Sequence, residues 1–208
     1  MVRTYGPLFS LDASGTLGKA ITFSKWKGRS YVRERVIPSN PKSGGQVGMR
    51  AMLKFLSQSW SAVIAGSQAT WETRASAKSV APFNSYVGYN ASRWRNFTAP
   101  TSHDPEAATD TPATVGATSL ILGERSITAS IPITTAADGW GVLIFRALAG
   151  GFTTGWDNLI AVSTISGTDT LLYVDTPLTP DTYYYNFREF TLDGQLGAED
   201  GELNDTVV

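Results

Sequence analysis

The apolar positions of this chain follow three successive patterns. The first is strand-like. Ala20–Trp26 and Ser30–Val36 are rich in β-branched and aromatic residues and flank Lys27-Gly28. This spacing predicts a hairpin with a two-residue turn in which Gly28 supplies a positive φ. The register pairs Phe23 with Val32 and Ile21 with Glu34, giving one largely apolar face. The other face collects Trp26, Arg29, Tyr31, Arg33 and Arg35. Ahead of the hairpin, the segment from Leu8 to Leu17 holds a turn at Asp12–Gly15. Pro38–Gly45 then breaks the chain.

The second pattern is helical. Over Gln46–Ile64, Met49, Met52, Leu53, Leu56, Trp60, Val63 and Ile64 recur at the three- and four-residue spacing of one helix face. Arg50, Lys54, Gln58 and Ser61 lie opposite. Ser67 can cap a second helix over Gln68–Ser79, around Trp71 and Ala75. Pro82 suits the first turn of a third helix, with Phe83, Val87, Ala91 and Trp94 on one side. Three helices and a hairpin predict an α+β module over residues 1–97. Residues 98–113, with Pro100, Pro105 and Pro112 among Thr, Ser, Ala and Asp, read as a semi-extended linker.

The third pattern is all β. Arg125–Ile133 alternates, with Ile127, Ala129, Ile131 and Ile133 on one face. Trp140–Ala147, Leu159–Thr164, Thr170–Asp175 and Thr182–Phe190 follow at short spacing. Asp138-Gly139, Gly150-Gly151, Ser166-Gly167 and Asp193-Gly194 punctuate them. Short strands at this spacing predict a β-sandwich over residues 114–208.

Charge follows the same division. Residues 1–97 carry fourteen Lys and Arg against three acids, a net of +11. Residues 98–208 carry three Arg against fifteen acids, a net of −12. The overall charge of −1 hides this asymmetry, which implies different partners for the two halves or contacts between oppositely charged copies. The chain has 208 residues and no cysteine, which excludes disulfides and thiolate metal sites. Met1–Pro7 has no long apolar run, so no signal peptide is expected, and no run of 18 apolar residues predicts a membrane span.

Two segments resemble known families. Asp175–Gly194 carries a Pro-rich turn, a Tyr-x-Tyr strand at Tyr183 and Tyr185, and an Asp-Gly turn. It resembles the late strands of a fibronectin type III domain, and the resemblance implies that Tyr183 fixes the corner between two strands. The tryptophan usual in an early strand of that family has no counterpart, since Trp140 and Trp156 lie elsewhere. Ser14–Arg35, with Ile37–Ser43 and the helix around Met49–Trp60, resembles a group of small phage and prophage proteins. That resemblance implies a phage origin and no chemistry.

Candidate chemistry narrows quickly. The single histidine, His103, lies in the predicted linker, so a Ser-His-Asp triad is not expected. Zinc lacks ligands, and Gly44-Gly45 stands in the wrong order for a phosphate loop. Asp193, Glu199, Asp200, Glu202 and Asp205 suggest calcium by type but lack EF-hand spacing, so no metal or cofactor is expected. The sharpest positive signal is basic and aromatic: Lys25, Trp26, Lys27, Arg29, Tyr31, Arg33 and Arg35, with Arg93 and Arg95 as an extension. Such interleaving suits a protein surface or a nucleic-acid backbone with stacked bases.

The sequence therefore points to a non-enzymatic structural protein of a bacteriophage virion. An accessory capsid decoration protein anchored by its basic N-terminal module is the leading reading. Its expected partners are major capsid, head–tail or tail proteins, with self-association through opposite charge. The alternatives are a nucleic-acid-binding virion protein, a head–tail or tail component, and a carbohydrate-binding accessory protein using Trp140, Trp156 and the Tyr183–Tyr185 run.

Overall fold

Lys27 and Gly28 both adopt positive φ, 48° and 76°. This is the backbone of a two-residue hairpin turn whose twist matches the strands it joins. β3 (Ile21–Trp26) and β4 (Arg29–Glu34) pair across it, with Phe23 opposite Val32 and Ile21 opposite Glu34, the register expected from the sequence. β1 (Val2–Arg3) adds beside β4 and β2 (Gly15–Leu17) beside β3, giving an antiparallel sheet of order β1-β4-β3-β2. The computed structural model describes residues 2–3, 14–18, 20–37, 39–40, 42–106, 109–112, 114–135, 138–165 and 167–208. Most of the expected Asp12–Gly15 turn, and Ser166 of the Ser166-Gly167 pair, lie outside these residues.

Contacts divide the chain into two units, Met1–Pro41 and Lys42–Val208. No described side chain of the first unit is buried. In the second unit, the helices are α1 (Gly44–Ser59), α2 (Ala65–Ser76) and α3 (Pro82–Arg95), the last opened by Pro82 as expected. A short 3-10 turn, Trp60–Ala62, ends the first helical stretch.

The strands of this unit are β5 (Thr114–Val115), β6 (Ser119–Gly123), β7 (Ser126–Thr135), β8 (Gly139–Ala147), β9 (Leu159–Thr164), β10 (Thr170–Asp175), β11 (Asp181–Thr191) and β12 (Leu203–Val207). One sheet runs β12-β11-β8-β9. The other runs β10-β7-β5, with β6 also paired to β7. Ile127, Ile131, Val142, Ile144, Tyr185 and Phe187 fill the core shared by the two sheets. Burying one face of each antiparallel sheet against the other is the sandwich solution to an alternating pattern. The fold is mixed α+β with a β-sandwich part.

The second face of the β12-β11-β8-β9 sheet is also buried. Met52, Phe55 and Leu56 of α1, Trp71 of α2, and Tyr86 and Trp94 of α3 join Trp140, Leu143, Phe145, Leu159 and Phe190 in one cluster. Phe55 meets Trp140 edge-on with ring centres 5.1 Å apart, and Phe190 at 5.3 Å. The helices thus form a third layer on the sandwich, so the division at Pro41/Lys42 does not coincide with the expected boundary at 98–113. Residues 98–106 are packed. Asn90 Nδ2 donates to Thr101 O at 3.0 Å while its Oδ1 accepts from Thr101 N at 2.8 Å. Trp71 Nε1 donates to Ser102 O at 2.7 Å, and Ser102 N to Leu192 O at 2.8 Å. These bonds satisfy backbone groups that burial would otherwise leave unpaired.

Candidate functional site

The basic hairpin is the first candidate. Alternation along β3 and β4 places Trp26 and Arg29 on one face with Ser24, Tyr31, Thr22 and Arg33. Trp26 is 65% exposed and lies beside the turn, where the Lys27 ammonium sits 4.8 Å from its ring centre. Arg29, Arg33 and Arg35 are exposed, and Tyr31 is half-buried. Lys25 pairs with Ser30 and alternates onto the other face, with Ile21, Phe23 and Val32. That face is incompletely covered, since Leu17 and Ile21 are exposed.

Arg93 and Arg95 belong to the second unit, at the end of α3. Arg93 is committed to local structure. It pairs with Glu106 at 2.7 Å, donates from Nε to Ala99 O at 2.8 Å and reaches Gly194 O at 3.3 Å. Glu106 also accepts a bond from the Tyr89 hydroxyl, and this bond, with Arg93, holds its carboxyl below the ordinary range.

The second candidate surrounds His103. Its Nε2 lies 3.2 Å from Asp193 Oδ1, and its Nδ1 lies 3.3 Å from Ser102 Oγ. Sequence spacing gave no hint of this chain of groups, because Asp193 comes from the turn after β11. A cavity of about 510 Å³, lined by Ser102, His103, Trp140 and Asp193 among others, adjoins it. Asp193 is nonetheless heavily used: Thr109 Oγ1 donates to it at 2.8 Å, and the Thr109 and Asp110 N–H groups at 3.3 and 3.2 Å. Burial alone would raise its pKa, but these donors and His103 hold it below the ordinary range. Asp110 moves the other way, raised by burial and by the charges of Asp193 and Asp138. The arrangement ties His103, Thr109 and Asp110 to the sandwich.

The remaining acids of the C-terminal group, which suggested calcium by type alone, go to separate partners. Glu199 accepts from Thr154 Oγ1 and from Asn186 Nδ2, Asp200 from Thr118 Oγ1, and Glu202 from the Gly151 and Phe152 N–H groups. Between the sheets, Arg146 of β8 pairs with Asp175 of β10 at 2.6 Å, and the Tyr185 hydroxyl donates to the same oxygen at 2.8 Å. Burial, then the Asp175 charge, pushes the Tyr185 hydroxyl well up, and the same causes take Tyr173 to about 12. The Tyr183 hydroxyl donates to Thr179 O at 3.0 Å and accepts from Thr179 N, fixing the corner before β11.

The third candidate is a cavity of about 810 Å³ at the start of α1. Trp156, in the loop between β8 and β9, lies across the N-terminal turn of that helix and stays 45% exposed. Gly44, Gly45 and Gly48 make the approach possible. A Cβ at Gly45 would stand 2.0 Å from Trp156 Cζ3, one at Gly48 2.2 Å from Trp156 O, and one at Gly44 1.8 Å from Asp157 O. Gly44-Gly45 therefore marks close packing. Of the rings named by the carbohydrate alternative, Trp140, Tyr183 and Tyr185 are buried in the two cores, Tyr184 is half-buried, and Trp156 is 45% exposed.

No protein-family model matches this chain, and no curated protein does. Among solved structures, it is similar to a β-1,2-glucanase from Parabacteroides distasonis, at 16% identity and TM-score 0.35, over 47% of this chain and 14% of that one. It is similar to a family 76 glycoside hydrolase from a bovine Bacteroides thetaiotaomicron strain, at 12% identity and TM-score 0.34, over 47% of this chain and 20% of that one. It is similar to the PKD domain of an M14-like peptidase from a Thermoplasmatales archaeon, at 14% identity and TM-score 0.33, over 48% of this chain and 98% of that one. The aligned part thus spans about a seventh of the glucanase and a fifth of the family 76 hydrolase.

Proposed function

We propose that this protein is a non-enzymatic structural component of a bacteriophage particle, an accessory capsid decoration protein docked through its basic N-terminal sheet. The observation that carries this reading is the state of that sheet. It forms its own compact unit, yet none of its described side chains is buried, and it presents Trp26, Arg29, Arg33 and Arg35 to solvent. A small sheet with none of its described side chains buried gains most of its stability by burying a face against something else. Aromatic and arginine side chains are the groups that most often carry interface energy. The resemblance of residues 14–97 to phage proteins supports the same role, and the Tyr183–Thr179 corner supports a fibronectin type III-like sandwich.

Charge gives the docking a direction. Residues 1–41 carry seven Lys and Arg against two acids, a net of +5, and residues 42–208 carry ten against sixteen, a net of −6. An acidic partner surface, on a shell protein or on another copy, fits the N-terminal unit. The test is incorporation into particles of a chain carrying Arg29→Glu with Arg33→Glu. Both side chains are exposed, so the expected result is an unchanged melt and loss from purified particles. Wild-type incorporation would overturn the reading. Tight DNA binding by the parent chain, with a salt slope lost in the double variant, would replace it by the nucleic-acid alternative, for which the Trp26–Tyr31 face is suited.

A further inference from the structure

The helical layer has a furrow that the docking role does not use. α1 and α3 lie side by side and antiparallel. Met49, near the start of α1, and Arg95, at the end of α3, line the same cavity. Trp60, just past the end of α1, meets Phe83, in the first turn of α3, with ring centres 6.0 Å apart. Between these two points, helix spacing places Leu53 on the row of Met49 and Trp60, and Val87 and Ala91 on the row of Phe83. Leu53 and Phe83 are each 37% exposed, and the other four are half-buried. The furrow is therefore apolar, recessed between two helices and incompletely covered.

Its flanks are cationic. Residues 42–97 carry seven Lys and Arg against one acid, a net of +6. That acid, Glu72, lies on α2, so α1 and α3 carry none. Arg74 and Arg93 are paired with Asp104 and Glu106. Lys54 of α1 and Arg95 of α3 are exposed, and neither side chain bonds to a described residue.

Each feature narrows the occupant. Met49 to Trp60 covers about 16 Å of helix axis, or three turns, which suits an apolar stripe of the same length on a third helix. Cations on both flanks ask for carboxylates beside that stripe. A nucleic-acid backbone would match the cations and leave the apolar floor unmatched. A lipid surface asks for apolar side chains that protrude, and these are recessed. The described helices of a second copy carry one acid between them, so this chain offers no such helix to itself.

We infer that the furrow between α1 and α3 docks an acidic amphipathic helix of another protein, with its apolar stripe on Leu53, Phe83 and Val87 and its carboxylates toward Lys54 and Arg95. The furrow lies wholly within residues 42–208 and does not rest on the N-terminal sheet docking anywhere. The particle-incorporation test and the test below therefore fail independently.

The test is selection by the full chain from random peptides of about 16 residues, long enough for three turns, followed by fluorescence anisotropy with the enriched peptides. The expected peptides place apolar residues three and four apart with Asp or Glu beside them, bind saturably and gain helical circular dichroism on binding. Leu53→Gln keeps helix propensity and should weaken them at least about tenfold, the effect of losing one interface anchor. Lys54→Glu with Arg95→Glu, both at exposed side chains, should weaken them as much while leaving the melt unchanged. Arg29→Glu with Arg33→Glu, in the other unit, should leave the affinity within about twofold. No enrichment, or enrichment of basic or non-helical peptides, would overturn the proposal. So would peptide binding that the furrow variants leave unchanged, or tighter binding of a short DNA duplex or of phosphatidylglycerol vesicles that the same variants weaken.

Discussion

Replacing Gly48 with alanine tests the packing at the start of α1 directly. In most helices this change stabilises, by up to about 1 kcal/mol, because alanine restricts the unfolded chain and favours the helix. At Gly48 the added methyl would meet Trp156 O at 2.2 Å, Trp156 C at 3.3 Å and Leu159 Cβ at 3.4 Å. A carbon and a carbonyl oxygen rest at about 3.3 Å or more, so helix and loop must part by roughly 1 Å. The obstacle is backbone, which cannot rotate aside. Overpacking costs about 1–3 kcal/mol; a contact this short against backbone belongs to the upper part of that range, about 2–3 kcal/mol, and subtracting a helix gain of about 1 kcal/mol leaves a net loss of about 1–2 kcal/mol. For a unit of this size the melting temperature should fall by about 3–8 °C. Gly88 in α3 is the matched control. A Cβ there has no neighbour within 4 Å. Gly88→Ala should raise the midpoint by about 1–3 °C. Thermal melts followed by circular dichroism compare the two. If Gly48→Ala melts at or above the parent, the loop does not rest on the helix as described.

Two further predictions follow from the layers and from the buried carboxylate. A fragment of residues 114–208 loses the helices that cover Trp140, Leu143, Phe145, Leu159 and Phe190; exposing five such side chains, at about 1.5–3 kcal/mol each, matches or exceeds the whole stability of a typical domain. It should bind a hydrophobic dye and melt without cooperativity, whereas residues 42–208 should melt as one transition; a cooperative melt of 114–208 would show that the sandwich is self-sufficient. Asp193 has a lowered pKa, so its stabilising contribution is present above the ordinary carboxylate range and is lost as pH falls through the lowered value. Asp193→Asn should therefore cost about 1–3 kcal/mol at pH 7 and progressively less as pH falls below about 4, read by denaturant unfolding; a difference constant with pH would mean that the charge is irrelevant.

Local structure was legible where neighbours in sequence decide it. The Lys27-Gly28 turn fixes the hairpin register, and alternation located β7 to β11 to within a residue or two. Which faces meet across long separations is not written in the local pattern. Phe55 fell outside the chosen stripe of α1, yet it is buried against Trp140 and Phe190, while Leu53 and Ile64, placed on that stripe, are exposed. Trp140–Phe145 carries the signal for the extra layer: it has no polar side chain at any position, as expected of a strand covered on both sides. The segment 98–113 looked like a linker because Pro, Thr and Ser dominate it. The path of its described residues around Thr101, Ser102 and Thr109 is set by Asn90, Trp71 and Asp193, partners whose side chains give no local hint of the pairing. Of the candidate residues, the hairpin set emerged from alternation. The Trp156 cavity did not, because its glycines answer to a loop more than a hundred residues away.

The third layer also has a consequence during synthesis. The helices leave the ribosome with Met52, Phe55, Leu56, Trp71 and Trp94 already patterned on one side, but the sheet that covers them is complete only after Phe190 has emerged. At translation speeds of about 5–20 residues per second, the interval between α1 and β11 is on the order of ten seconds. Throughout that time the nascent chain carries a greasy helical surface and no lid, and it is in this window, more than in the finished fold, that the protein is open to capture by chaperones or by its own neighbours on the same message.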